Sequence, residues 1–372
     1  MAKLPSTMRA LVAPKYCTPA KYEVIDVPVP TIKGANDVLI KMYAVGITTG
    51  DTQLANGISK YLLGDISFPH KLGVEGAGVV AAVGTAVTLF RPGDEVYAFA
   101  YSRPMKLGEA GFCAEYAIAQ EKLTLRKPAH VPFEHMCCVA NVVTARQSIE
   151  RGLQLMRENG VAVADGLEGK TVFVPGALSA TGSVGIQVLK NVYGAGRLIA
   201  SASTAKVPLV EQLLLPPGLV DELVDYTKVK KLTDVIPAGT VDLVYNTQWG
   251  APGTFALAKP ETGVVASIAS VPTPGLLREI LPPLPFLAYW LAGLAQLWYA
   301  FLLRGTRVRH ELISGNLDVR EDLERAGELL ATGRVRPIVR VVGLEDVEVI
   351  RAESQKVFTG KGGVGKLVVK FV

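Results

Sequence analysis

The stretch Val172-Phe173-Val174-Pro175-Gly176-Ala177-Leu178-Ser179-Ala180-Thr181-Gly182-Ser183-Val184-Gly185-Ile186-Gln187 passes from an apolar run through small residues into a helical pattern. A strand–turn–helix unit of this kind brings free backbone N–H groups and the positive end of a helix dipole to one point. That is the chemistry of a pyrophosphate cradle. Small residues are required there because bulk would hold the phosphates away from the backbone. The strict G-x-G-x-x-G spacing is absent, and Gly176, Ser179 and Gly182 form a relaxed, three-spaced version,. Gly176, Ser179, Ala180, Thr181, Gly182 and Ser183 are therefore the candidate dinucleotide contacts.

The next strand candidate ends Ala200-Ser201-Ala202-Ser203-Thr204-Ala205-Lys206. A site for NAD places an acid there to accept hydrogen bonds from the ribose 2′-hydroxyl, and this segment has none. Ser203, Thr204 and Lys206, with Tyr226 as neighbour, instead suit a 2′-phosphate, so NADPH is the expected cofactor. The alternative is a solvated loop lysine beside ordinary helix-start residues. A second glycine cluster, Gly360-Lys361-Gly362-Gly363-Val364-Gly365-Lys366, imitates a phosphate loop. It lacks the Ser or Thr that ligates Mg²⁺ and is followed by a short strand, so ATP or GTP hydrolysis is not expected.

These residues need a scaffold. The first ~140 residues read as short strands and turns. Strand candidates there are Val38 to Val45, Gly73 to Val83 and Ala114 to Ala119, with Pro92-Gly93-Asp94-Glu95-Val96 turning into another. Beyond Asn141, helices at Thr144 to Arg157, Ser183 to Tyr193 and Val207 to Leu215 alternate with strands at Thr171 to Val174, Arg197 to Ala202, Val241 to Tyr245 and Gly263 to Ile268. Such alternation predicts a parallel sheet covered on both faces, an α/β fold. An amphipathic helix, Glu321 to Ala331, and a strand, Leu367 to Val372, follow.

Composition narrows the function. Over 372 residues, 49% are hydrophobic and the net charge is +5, ample for two cores and too mild for a nucleic-acid surface. Cys17, Cys113, Cys137 and Cys138 form no disulfide framework, and the opening residues carry no signal-peptide pattern, so a cytoplasmic setting is expected,. Leu284 to Leu303 is almost wholly apolar. It reaches the ~20 residues of a spanning helix, yet it lies between segments expected to share one fold. It is expected not to span a membrane.

In order along the chain stand Val45-Gly46-Ile47-Thr48-Thr49-Gly50-Asp51, Leu72-Gly73-Val74-Glu75-Gly76-Ala77-Gly78-Val79-Val80, Pro92 to Val96, Gly111-Phe112-Cys113-Ala114-Glu115-Tyr116, the cofactor turn, Gly333-Arg334-Val335-Arg336-Pro337 and Gly365 to Val369. This series resembles the medium-chain dehydrogenase/reductase superfamily, in its zinc-independent quinone-oxidoreductase and enoyl-reductase branch, including fungal trans-acting enoyl reductases. The resemblance implies a GroES-like β-barrel catalytic domain (residues 1–140, completed by 317–372) and a Rossmann doubly wound domain (141–316), with the active cleft between them. It also implies cofactor contacts from Thr48, Asp51, Asn246, Ile268, Gly365 and Lys366. Zinc-dependent relatives carry Cys at the position of Thr48 and His at that of Val74. A catalytic zinc takes about three protein ligands, so no metal is expected.

Without a metal Lewis acid, oxidising a simple alcohol is hard to support. Hydride delivery to an activated C=C needs only hydrogen bonds to the developing enolate and a proton for the α-carbon. Thr49, Tyr61 and Thr144 are the candidate catalytic residues. The expected substrate is a hydrophobic enone, quinone or enoyl thioester, free or bound to a carrier protein, with a second copy of the chain or a polyketide synthase as candidate partners. Two alternatives stand beside this reading: a non-redox enzyme, such as a cyclase, on the same fold, and a membrane-docked binding protein.

Overall fold

Residues 4–58, 60, 64–100, 111–163, 166–281 and 283–371 are described by the computed structural model. In chain order the strands are β1 (Thr7–Ala13), β2 (Glu23–Pro28), β3 (Asp37–Ile47), β4 (His70–Lys71), β5 (Glu75–Val83), β6 (Glu95–Phe99), β7 (Tyr116–Gln120), β8 (Thr124–Arg126), β9 (Thr171–Val174), β10 (Arg197–Ala202), β11 (Glu222–Asp225), β12 (Leu243–Asn246), β13 (Val264–Ser267), β14 (Arg309–Leu312), β15 (Val339–Gly343) and β16 (Lys366–Lys370). The helices are α1 (Thr49–Asn56), α2 (Phe133–Met136), α3 (Val139–Glu158), α4 (Ala180–Asn191), α5 (Val207–Leu213), α6 (Pro274–Ile280), α7 (Phe286–Leu302), α8 (Arg320–Ala331) and α9 (Val347–Thr359).

The chain divides into two units. One comprises Met1–Ala140, Leu317–Ala331 and Val339–Val372; the other comprises Asn141–Asn316 and Thr332–Ile338. The first unit is organised by β3, which pairs with β5 along nearly its whole length on one side. On its other side β3 pairs with β7 through Asp37 to Lys41 and with β16 through Ala44 to Ile47. A strand partnered on both edges is buried, and Val38, Ile40, Met42, Val45 and Ile47 enter the core with Tyr22, Leu72 and Phe112. A smaller sheet, β2-β1-β4, completes the unit.

The second unit is an all-parallel sheet in the order β11-β10-β9-β12-β13-β14. Chain order therefore reverses between β9 and β12, and in sheets of this kind ligands bind at the carboxyl ends of the strands flanking that switch. Phe173, Ile199, Val244 and Val265 fill the core together with Phe255 and Tyr299. Strands buried on both faces read as unbroken apolar runs, which is why β9 and β10 have their predicted limits.

Three expectations are corrected. The first long helix begins at Val139 rather than Thr144. The helix after β9 begins at Ala180 rather than Ser183, because Ser179 caps it. Thr332–Ile338 belongs to the second unit, not the first: Gln187 donates to the Arg336 carbonyl at 3.0 Å and accepts from its N–H at 2.7 Å, and Asn191 donates to the Arg334 carbonyl at 2.7 Å. In the Gly360 to Lys366 cluster, Gly360 ends α9 in the left-handed region (φ 66°) and β16 follows. That helix–turn–strand order is the reverse of a phosphate loop.

Candidate functional site

In the second unit, β9 delivers the chain to Gly176, whose φ of 74° lies where only glycine is at ease,. The turn is tied down by the Ala177 N–H to the Ser201 carbonyl at 2.8 Å and the Ser179 N–H to the Gly176 carbonyl at 2.9 Å. Ser179 Oγ accepts from the Gly182 N–H at 2.9 Å, an N-cap that starts α4,. A Cβ on Gly182 would lie 2.2 Å from the Gly176 oxygen, and one on Gly185 would lie 2.3 Å from the Tyr245 ring. The spaced glycines thus let helix, turn and sheet close on one another.

The N–H groups of Leu178, Ala180 and Thr181 have no hydrogen-bond partner among the described residues. These unspent donors at a helix N-terminus fit a dinucleotide pyrophosphate. Thr181 Oγ1 accepts from Asn141 Nδ2 at 2.9 Å. Ser183 is fully buried, with its hydroxyl turned to the Ala180 carbonyl. Its side chain is therefore helix packing, a correction to its place among the contacts.

At the end of β10, Ser203 to Lys206 form a turn closed by the Lys206 N–H to the Ser203 carbonyl at 2.7 Å. Thr204 Oγ1 donates to Asp225 at 2.7 Å and meets Thr227 Oγ1 at 2.6 Å. Thr204 is thereby committed within the protein, a second correction. Asp225, contributed by the neighbouring strand β11, supplies the acid that the β10 segment lacks. Hydrogen bonds from Thr227 and Thr204 bring its carboxyl down to about 2 against a smaller opposing effect of desolvation. Tyr226, beside it, is half exposed. The Tyr226 N–H donates to the Ala202 carbonyl at 3.2 Å, so Tyr226 and the Asp225 carboxylate stand beside the turn that carries Ser203 and Lys206.

Asn246, at the carboxyl end of β12, is buried, and its amide donates to Ser267 Oγ and to the Gln248 carbonyl, both at 2.9 Å. It fastens β12 to β13, so its donor is not available to a cofactor. The Ile268 N–H donates to the Asn246 carbonyl at 2.9 Å. Thr144, on α3, is half-buried, and a Cβ on Gly315 would stand 2.2 Å from its Oγ1.

In the first unit, Thr48 caps α1. Its N–H and hydroxyl both donate to Asp51 Oδ2, at 2.7 and 2.6 Å, while its Oγ1 accepts from the Asp51 N–H at 3.2 Å. This reciprocal capping box absorbs both residues. The other oxygen of Asp51 accepts from the Gly73 N–H at 3.0 Å, and the side chain is buried. Burial raises its pKa against the opposing hydrogen bonds from Thr48 and the nearby Lys366 charge. Asp51 and Thr48 are thus joints of the scaffold, a correction to their expected cofactor role. Thr49 is exposed, and its hydroxyl has no partner among the described residues. Tyr61 lies outside the described residues.

Lys366 is corrected as well. It is 3% exposed and forms an ion pair with Glu75, which is 1% exposed. Glu75 also accepts from the Ala140 N–H at 3.1 Å. Burial lowers the lysine pKa, but the opposing effects, led by Glu75 and joined by Cys138 and Asp51, raise it on balance. Neighbouring Gly365 takes φ 62° as the chain enters β16. Glu75, Asp225 and Asn141 were not singled out from the sequence, and only the Gly73-Val74-Glu75-Gly76 setting of Glu75 hints at a buried acid.

Cys137 and Cys138 are buried thiols, and desolvation pushes Cys138 up to about 12. Among the described residues no three His, Cys, Asp or Glu side chains are grouped to hold a metal. A hollow of about 300 Å³ in the first unit, bounded by Leu89, Tyr97, Arg126, Arg320 and Glu324, contains none of the candidate residues.

Residues 34–129 match the alcohol dehydrogenase GroES-like domain. An NADPH-dependent alkenal/one oxidoreductase, chloroplastic, of Arabidopsis thaliana is 32% identical over 74% of this chain, which spans 66% of that protein's length. A trans-enoyl reductase of Aspergillus terreus is 29% identical over 91% of this chain and 87% of its own. The structure of a quinone oxidoreductase from Coxiella burnetii superposes with a TM-score of 0.71 at 18% identity, covering 98% of this chain and all of that one.

Proposed function

Because the chain belongs to the medium-chain dehydrogenase/reductase superfamily, in its quinone-oxidoreductase and enoyl-reductase branch, we propose that it is an NADPH-dependent reductase of activated C=C bonds in hydrophobic small molecules. The observation that carries this reading is the turn before α4, with its three unspent N–H donors and its closely packed glycines.

When bound, NADPH supplies a hydride for the carbon β to a carbonyl. The N–H groups of Leu178, Ala180 and Thr181 hold the pyrophosphate, assisted by the α4 dipole,. Ser203 and Lys206 hold the 2′-phosphate through charge-assisted hydrogen bonds. Relief of charge on the substrate oxygen requires hydroxyl donors that are not already engaged. In the first unit Thr49 meets that condition, whereas Thr48, bonded to Asp51, does not.

The test mixes the protein with NADPH carrying deuterium at the transferred position. The substrates are a panel of enones, quinones and enoyl thioesters, the last as free pantetheine esters and on a carrier protein. Loss of nicotinamide absorbance with label at the product β-carbon is expected. Product formed without NADPH consumption would replace this reading with a non-redox one.

A further inference from the structure

Helix α7 departs from the pattern of the rest of the molecule. Only Ala288, Ala292 and Tyr299 along it are buried. Phe286, Leu287, Trp290, Leu291, Leu294, Leu297, Trp298, Phe301 and Leu302 are between 39% and 81% exposed. At 3.6 residues per turn these nine side chains occupy one continuous sector of about 160° in which no polar residue falls. The four aromatics alone, at ~150–250 Å² each and half or more exposed, present roughly 400 Å². With five leucines added, the patch exceeds the ~300–600 Å² that is the largest on an ordinary monomer.

The inner face fixes the orientation. The Tyr299 hydroxyl accepts from the Val271 N–H at 3.2 Å, its ring packs edge-on against Phe255, and Gln296 donates to the Val271 carbonyl at 2.8 Å. α7 is held to the second unit by one side and offers the other to its surroundings. No described helix is long and apolar enough to cross a membrane.

We propose that the outward face of α7 is a docking surface for an anionic phospholipid bilayer, on which the helix lies in the plane of the headgroups. Three observations select this occupant. The sector offers no hydrogen-bonding side chain apart from the indoles, whereas a protein partner requires about one hydrogen bond per 100–200 Å². Trp290 and Trp298 sit on opposite shoulders of the sector, about 40° either side of Leu294, where indoles meet headgroups while Leu287, Leu294 and Phe301 enter the acyl boundary. Immediately after the helix, Arg304 and Arg307 are exposed and have no acidic partner among the described residues. Lipid phosphates and carboxylates would supply that partner. A second copy of the same face would bring no carboxylate to them.

Flotation of the full chain with vesicles of phosphatidylcholine, alone or with roughly one third phosphatidylserine, tests the proposal without using the reductase reaction. Binding to the anionic vesicles with a blue shift of tryptophan emission is expected. Replacing both arginines (Arg304→Ser with Arg307→Ser) should lower the partition coefficient about 30-fold. Leu294→Glu should abolish binding while leaving circular dichroism and thermal midpoint near the parent's, since the side chain is already exposed. Absence of wild-type binding overturns the proposal, as does equal binding to neutral and anionic vesicles. If vesicles are ignored and Leu294→Glu converts a dimer to monomers in sedimentation, the face belongs to a second copy instead.

Discussion

Gly182→Ala separates the role of the turn before α4 from that of the helix itself. Alanine is the better helix former by up to ~1 kcal/mol, so local propensity predicts a gain. The structure predicts the opposite, because the new Cβ would stand 2.2 Å from the Gly176 oxygen and 2.7 Å from Ser179 Oγ, where ordinary contact begins at 3.4 Å. The Gly176 carbonyl is backbone in a left-handed turn, so relief requires the turn to move by at least about 1 Å. Overpacking of this kind costs ~1–3 kcal/mol. It also displaces the N–H groups of Leu178, Ala180 and Thr181 from the pyrophosphate. Losing one hydrogen bond to a charged group costs ~1.5–3 kcal/mol, or about 10- to 150-fold in Kd. Thermal melts and titration of NADPH by nicotinamide fluorescence read the two effects separately. Gly293→Ala, where a Cβ meets nothing within 4 Å, is the control and should be neutral or slightly stabilising. A folded Gly182→Ala protein that binds NADPH within twofold of the parent would refute the pyrophosphate role of this turn.

Three further outcomes are expected. Glu75→Gln or Lys366→Met should each destabilise by ~3–5 kcal/mol by leaving a buried partner alone, and the double replacement should cost less than either, which a denaturation cycle measures. Lys206→Ala should narrow the preference for NADPH over NADH and Asp225→Asn should widen it, as read by calorimetric titration, since the first removes attraction for a 2′-phosphate and the second removes repulsion. His310, packed between Phe255 and Tyr299 with Nε2 unpaired, has its pKa lowered to about 4 by burial, Glu311 opposing. The unfolded chain therefore takes up the proton first, so stability is full above pH ~6.5 and falls by up to ~3 kcal/mol toward pH 4; urea midpoints should follow that course, and His310→Phe should flatten it.

Legibility in the sequence varied with how local the physics is. β9, β10 and the glycine turn after β9 are written in consecutive residues and could be read directly, whereas the Ser179 cap that starts α4 three residues before the expected Ser183 was missed,. The edge strand β14 is polar and short, and the exposed Arg309 at its start masks it,. Roles that depend on distant partners were hidden. Asp225 meets Thr204 only because β11 lies beside β10 in the sheet. Asp51, with a spacing of three from Thr48, closes a capping box whose second anchor, the Gly73 N–H, lies 22 positions away in the chain,. The apolar run of α7 was plain, but its exposure was not, because hydropathy reports what a segment is and not which way it faces.

The Glu75–Lys366 pair bridges 291 positions of the chain, and this has a consequence during synthesis. At ~5–20 residues per second, Glu75 leaves the ribosome about 15–60 s before its lysine does. Throughout that interval β3 has no β16 along Ala44 to Ile47, and a carboxylate destined for burial has no counter-charge. The nascent first unit must therefore keep Glu75 hydrated or protonated and leave its sheet open. Meanwhile Asn141–Asn316, whose six parallel strands are all translated by then, can settle first. Ribosome-bound chains halted before Lys366 should show protease protection over the second unit and susceptibility around β3 and β5, an exposure that a chaperone would find before the last strand arrives.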